Sequence, residues 1–107
     1  MSLDRRVHPR KILRRMAMIR LASGEVLKVK TQDVSQGGVC VLLPNNLPFG
    51  ATCEVAFVLP INGKDYRVMA GAKIVHTVMA GLDGFRAGLE FTRLGETEKE
   101  LLREYVW

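Results

Sequence analysis

The sequence predicts an all-β domain, a six-stranded antiparallel β-barrel closed by a C-terminal helix. Short apolar runs recur between turn signals from Arg15 onward, and several alternate with polar residues at a period of two. Only after Leu94 does the spacing of apolar residues lengthen to that of a helix. Six short strands left as an open sheet would expose their edges, which closure into a barrel removes. At 107 residues, with 48% apolar and 25% charged residues, the chain has the size and composition of a single folded domain spanning 1–107.

The elements follow in order. Met16 to Leu21 is the first strand, and Ser23-Gly24 turns the chain into Val26 to Thr31, where Leu27, Val29 and Thr31 alternate with Lys28 and Lys30. Val39 to Leu43 is a continuous apolar run ended by Pro44, and Asn45 to Gly50 is a loop of turn formers. Thr52 to Leu59 sets Cys53, Val55, Phe57 and Leu59 on one side. Pro60-Ile61-Asn62-Gly63 predicts a tight hairpin, since Asn-Gly adopts the positive φ angles such turns need. Tyr66 to Val78 is a longer strand with a bulge expected at Gly71, and Gly81 to Gly84 reverses the chain into Phe85 to Thr92. Thr97, three residues ahead of Glu100, predicts a capping box at the start of a helix over 96–107, with Glu96, Glu98, Glu100 and Glu104 on its solvated face. Met16, Met18, Met69 and Met79 are expected to fill gaps in the barrel (residues 15–93), and Cys40 and Cys53 to be small core residues.

Charge is distributed unevenly. Residues 1–20 hold seven Lys or Arg (Arg5, Arg6, Arg10, Lys11, Arg14, Arg15 and Arg20) against Asp4, a net +6, and the other 87 residues sum to −1. Pro9 disfavours regular structure around it, so residues 1–14 are expected to be a mobile basic arm that holds an anion: nucleic acid, a nucleotide or an anionic membrane surface. No run is long and apolar enough for a membrane span, no leader-like apolar segment opens the chain, and two cysteines make no disulfide framework. A reducing cytoplasm is the expected location. No nucleophile elbow, paired acids or zinc-ligand spacing involving His8 or His76 points to an enzyme or a metal site, and no cofactor is expected.

Two constellations carry chemistry. In Arg5-Arg6-Val7-His8-Pro9-Arg10, arginine is the informative residue, because its planar fork donates two parallel hydrogen bonds to a phosphate or a guanine edge and its face stacks on a base. In Asp33-Val34-Ser35-Gln36-Gly37-Gly38, a turn is the simplest reading. The same residues also suit a ligand: an ionised Asp accepts the N1 and N2 donors of guanine, and a Ser hydroxyl with the Gly37 and Gly38 amides can approach an anion.

Arg6-x-x-x-Arg10 followed by Asp33-x-Ser35-x-x-Gly38, in a small barrel closed by a helix, resembles the PilZ domain, a bacterial receptor for cyclic di-GMP. Further marks are Leu47-Pro48-Phe49-Gly50, Gly88-Leu89-Glu90-Phe91 and the acidic helix start, so the likeness covers nearly the whole chain. The resemblance implies that Arg6 and Arg10 take the phosphates and guanine faces, with Asp33, Ser35 and Gly38 lining the other side. Arg5 matches the position that in this family selects one cyclic di-GMP or a stacked pair, an arginine favouring the pair. The expectation is a cyclic di-GMP receptor whose arm changes conformation on binding and signals to a protein partner. Two alternatives stand: a ligand-free adaptor of the same fold, and a small nucleic-acid-binding barrel. The second is disfavoured because the arm has no Phe, Tyr or Trp to stack on bases.

Overall fold

The alternating runs close on themselves as expected. The computed structural model describes residues 9–107, apart from the Asp83 side chain. Its strands are β1 (Lys11–Ile12), β2 (Met16–Leu21), β3 (Val26–Val34), β4 (Gly38–Leu43), β5 (Thr52–Ile61), β6 (Lys64–Met79) and β7 (Phe85–Arg93), followed by helix α1 (Glu96–Val106). All pairings are antiparallel, in the order β3-β2-β5-β6-β7-β4, and pairing of β3 with β4 closes the six-stranded barrel. The extra strand β1 takes up the same edge of β3 beyond the point where β2 has left it, with Ile12 opposite Asp33 and Lys11 opposite Val34.

Inward positions fill the barrel. Ile19, Val29, Val41, Val55, Phe57, Leu59, Val68, Ile74 and Leu89 are essentially inaccessible to solvent, and each such side chain contributes about 1.5 to 3 kcal/mol of burial. The Phe57 and Phe91 rings stack with centroids 6.1 Å apart. Helix α1 lies against β5 and β6 and adds Leu102, Tyr105 and Val106 to the core. The β5–β6 hairpin turns at Asn62 (φ 52°) and Gly63 (φ 79°), as the Asn-Gly pair predicts. The β6–β7 register shifts at Gly71, where a bulge was expected, and again between Ile74 and His76.

Four expectations need correction. Residues 11–14 do not belong to a free arm: β1 is paired and Leu13 is buried, since an apolar residue there reaches the core once β3 offers an open edge. The helix starts at Glu96 with Gly95 as its cap and no side-chain cap bond, so the Thr97 capping box does not form; the helix is held to the barrel by burial of Leu102, Tyr105 and Val106. Met16, Met18, Met69 and Met79 fill no gaps and are 42 to 77% exposed, because their inward neighbours Ala17, Ile19, Val68 and Ala70 already occupy the interior. Cys53 is in the core cluster, but Cys40 lies outside it: its neighbours Val39 and Val41 point inward, so Cys40 is covered on the outer face.

Candidate functional site

The root of the basic segment is pinned by two side chains. Thr31, fully buried, donates its hydroxyl to the Leu13 carbonyl at 2.5 Å and accepts the Arg15 N–H at 2.9 Å. Tyr105 of α1 donates its hydroxyl to the Ile12 carbonyl at 2.9 Å. Lys11 donates to the Tyr105 carbonyl at 3.1 Å, with its ammonium 4.3 Å from the Tyr105 ring centroid. Buried polar groups paired in this way are costly to disrupt, so residues 11–15 are held between β3 and α1. Arg10 thereby starts from a fixed base.

Arg10 Nη1 meets Asp33 Oδ1 at 2.5 Å, bringing together one residue from each motif across 23 positions of sequence. Both side chains remain about a third exposed, so the pair is worth only about 0 to 1 kcal/mol. It orients Arg10 without locking it. Between Thr31 and Asp33 the β3–β4 register advances by one extra residue on β3, Thr31 standing opposite Val41 and Asp33 opposite Cys40.

The loop after Asp33 is held by its own bonds. The Ser35 N–H donates to the Gly38 carbonyl at 2.8 Å, and the Gly37 N–H donates to the Ser35 hydroxyl at 3.1 Å. The Gly37 carbonyl accepts from the Phe91 N–H at 2.9 Å. A Cβ at Gly38 would overlap the Leu89 carbonyl oxygen of β7, so glycine is required there by strand approach alone. Ser35 is buried and its hydroxyl already engaged, which leaves Asp33 as the motif's presented acceptor. Arg5 and Arg6 lie outside the described residues.

The structure also adds neighbours that sequence reading missed. Cys40 stands opposite Asp33 on one side and Gly88 on the other, and Gly88 opposite His76. A Cβ at Gly88 would overlap the His76 imidazole, so the ring lies across β7 where a side chain would otherwise stand. Burial pushes the Cys40 thiol up, and Asp33 adds to this against the opposing charges of Arg86 and Arg10. The thiol is therefore neutral at physiological pH. Register is the signal that gathers these residues, and register is not written in any single strand. Arg14, Arg15, Met16, Lys30, Gln32 and Leu42 line a hollow of about 590 Å³ with basic walls, and Asp33 is not part of its lining.

A family model for the PilZ domain matches residues 4–106. The chain belongs to the PilZ domain family. No curated protein matches it in sequence. Among solved structures, the PilZ domain described here is similar to the Bacillus subtilis inhibitor of motility MotI/DgrA, with a TM-score of 0.84 and 18% identity over 99% of this chain and 51% of that one. It is similar to Borreliella burgdorferi PlzA in complex with c-di-GMP, with a TM-score of 0.70 and 17% identity over 97% of this chain and 42% of that one. It is also similar to the PilZ domain of Escherichia coli YcgR with c-di-GMP, with a TM-score of 0.64 and 20% identity over 96% and 89% of the two chains. The chain thus spans about half the length of the first two proteins. At these identities the likeness establishes the fold. Among the described residues no helix is long and apolar enough to cross a membrane, and no cluster of His, Cys, Asp or Glu is arranged to hold a metal ion.

Proposed function

We propose that this PilZ domain is a receptor for cyclic di-GMP in the cytoplasm, with Arg5, Arg6, Arg10 and Asp33 touching the ligand and Ser35, Gly37 and Gly38 shaping the loop of the site that presents Asp33. The observation that carries the reading is the contact of Arg10 with Asp33, because two residues far apart in sequence and each suited to a guanine nucleotide share one exposed spot. Family membership and the c-di-GMP complexes of similar folds support it. Asp33 accepts the N1 and N2 hydrogens of a guanine, and Arg10 leaves Asp33 for phosphate or the guanine face. Giving up an exposed pair costs about 0 to 1 kcal/mol, whereas a hydrogen bond to a charged group returns about 1.5 to 3 kcal/mol. The exchange favours the ligand.

The segment carrying Arg5 and Arg6 folds over the nucleotide, and Arg5 stacks against a second ligand so that a pair is held. Ordering about ten residues costs on the order of 10 kcal/mol, which charge-assisted contacts and base stacking together offset. The change reaches α1 through Lys11 and Tyr105, which grip the root of the arm, and a protein partner reads the altered surface. The chain acts by binding and has no enzymatic step.

Calorimetric titration with cyclic di-GMP, cyclic di-AMP and a single-stranded oligonucleotide tests this. Cyclic di-GMP alone should bind, saturating at two ligands per chain, and Arg5→Leu should lower the ratio toward one. Equal binding of cyclic di-AMP would refute guanine reading by Asp33, and tight oligonucleotide binding with no response to cyclic di-GMP would favour a nucleic-acid barrel.

A further inference from the structure

Three of the five methionines stand together on the outer face of the barrel, away from the Asp33 loop. The strand registers put Lys28, Met18, Ala56 and Met69 in one row across β3, β2, β5 and β6. In the neighbouring row Met16 pairs with Lys30, and Val58 with Arg67. Met16, Met18 and Met69 are 56, 42 and 53% exposed, although outward strand positions on a solvated barrel are ordinarily polar. Between the rows lies a hollow of about 400 Å³, whose walls include Met16, Met18, Ala56, Val58, Lys28 and Arg67. Among the described residues, Lys28, Lys30 and Arg67 have no carboxylate partner.

We infer that this methionine face is a docking site for a protein segment that inserts apolar side chains and carries acidic residues on its flanks. Methionine is unbranched and polarisable, so it moulds to an inserted side chain and leaves such surfaces adaptable. The cations around the hollow select the partner's charge, through steering and through exclusion of basic segments. A second copy of the chain is a poor occupant: face-to-face pairing would bring Lys28, Lys30 and Arg67 against their own equivalents. A bilayer is a poor occupant as well, since the site is a recess rather than a protruding apolar tip, and the aromatic residue in its lining, Phe57, is buried. Met16 also borders the basic hollow lined by Arg14 and Arg15, so the face is continuous with the segment that leads into β2. The inference does not depend on the identity of the nucleotide.

The test uses the full chain and two labelled amphipathic peptides with the same Leu and Phe face, one flanked by glutamates and the other by lysines. Fluorescence anisotropy should show the glutamate peptide binding about ten-fold or more tightly, equivalent to about 1.4 kcal/mol. Met18→Glu with Met69→Glu should weaken that binding at least about ten-fold, with the melting temperature and cyclic di-GMP titration unaltered. In protein labelled at the methionine methyl carbons, the Met16, Met18 and Met69 signals should move on binding while Met79 does not. Failure of the glutamate peptide to bind, equal binding of both peptides, or methyl shifts confined to Met79 would overturn the inference. So would phosphatidylglycerol vesicles that bind more tightly than the peptide and are released by the double variant, or a dimer in sedimentation that the double variant dissolves.

Discussion

The two outer faces of this barrel are built by opposite rules. Around Asp33 the loop is held by its own bonds through Ser35 and Gly37, Gly38 is dictated by strand contact, and a loosely held ion pair is left to respond. On the methionine face the strands are regular and the side chains are long, flexible and uncommitted. The contrast sets a surface whose loop is held in place by its own bonds against one adaptable enough to accept a side chain of imperfect fit.

Substitutions at matched positions should expose the difference. The largest effect is expected at Gly38. A valine there meets the Leu89 backbone, which cannot yield without opening β4 from β7, so Gly38→Val should cost about 3 kcal/mol and lower the melting temperature by roughly 10 °C or more. Met18→Gln on the other face should stay within about 0.5 kcal/mol. If thermal denaturation shows the two variants alike, the faces do not differ as described.

Next in size is Arg10. Arg10→Ala should weaken cyclic di-GMP binding about ten- to hundred-fold while the ligand-free melting temperature barely moves, and Arg10→Lys should also bind poorly because the fork is lost. Calorimetry showing unchanged affinity in either would remove Arg10 from the site. Thr31→Val probes the support beneath it. The variant leaves the Leu13 carbonyl and Arg15 N–H without their buried partner, so chemical denaturation should register a loss of about 1 to 3 kcal/mol.

The smallest effect concerns acid. Arg20, and after it Arg93, holds the Glu54 carboxyl below its ordinary range. The unfolded chain therefore binds this proton more readily than the folded one. The resulting contribution is present above the ordinary carboxylate pKa and is lost as pH falls through the lower folded value. Because Glu54 is exposed, the change should be slight, and Glu54→Gln should flatten it in melting curves taken through the acid range. A variant with an unaltered acid response would show that the Arg20–Glu54–Arg93 network is electrostatically idle.

Much of this was legible in the letters. Alternation in Thr52 to Leu59, the Asn62-Gly63 turn and the bulge at Gly71 each reflect a local backbone requirement, and local requirements survive in sequence. Asp33 and Arg10 could be singled out because their side chains suit a guanine nucleotide. What escaped was whatever depends on an unseen neighbour. Two residues are too few for β1 to show a period, and Met16-Ala17-Met18-Ile19 is apolar on both faces, so its inward side is undetermined until β3 and β5 flank it. The placing of Cys40 outside the core depends on its register with Asp33 and Gly88.

The extra residue in β3 has a consequence for how such a site is inherited. Side chains along a strand alternate between its faces, so Thr31 and Asp33 would normally share a face, and Thr31 is wholly inside. The irregularity at Gln32 resets the count: Asp33 emerges at the surface and Val34 returns to the interior. With Gln32 in place, the outward facing of Asp33 depends on this irregularity. Deleting Gln32 would place Asp33 directly after Thr31 and restore plain alternation, with Asp33 still facing outward opposite Cys40 and Val34 still facing inward. A one-codon loss here would therefore remove the local kink and added twist of β3 rather than reverse its faces, so the spacing is constrained through the path of the strand and not through its alternation.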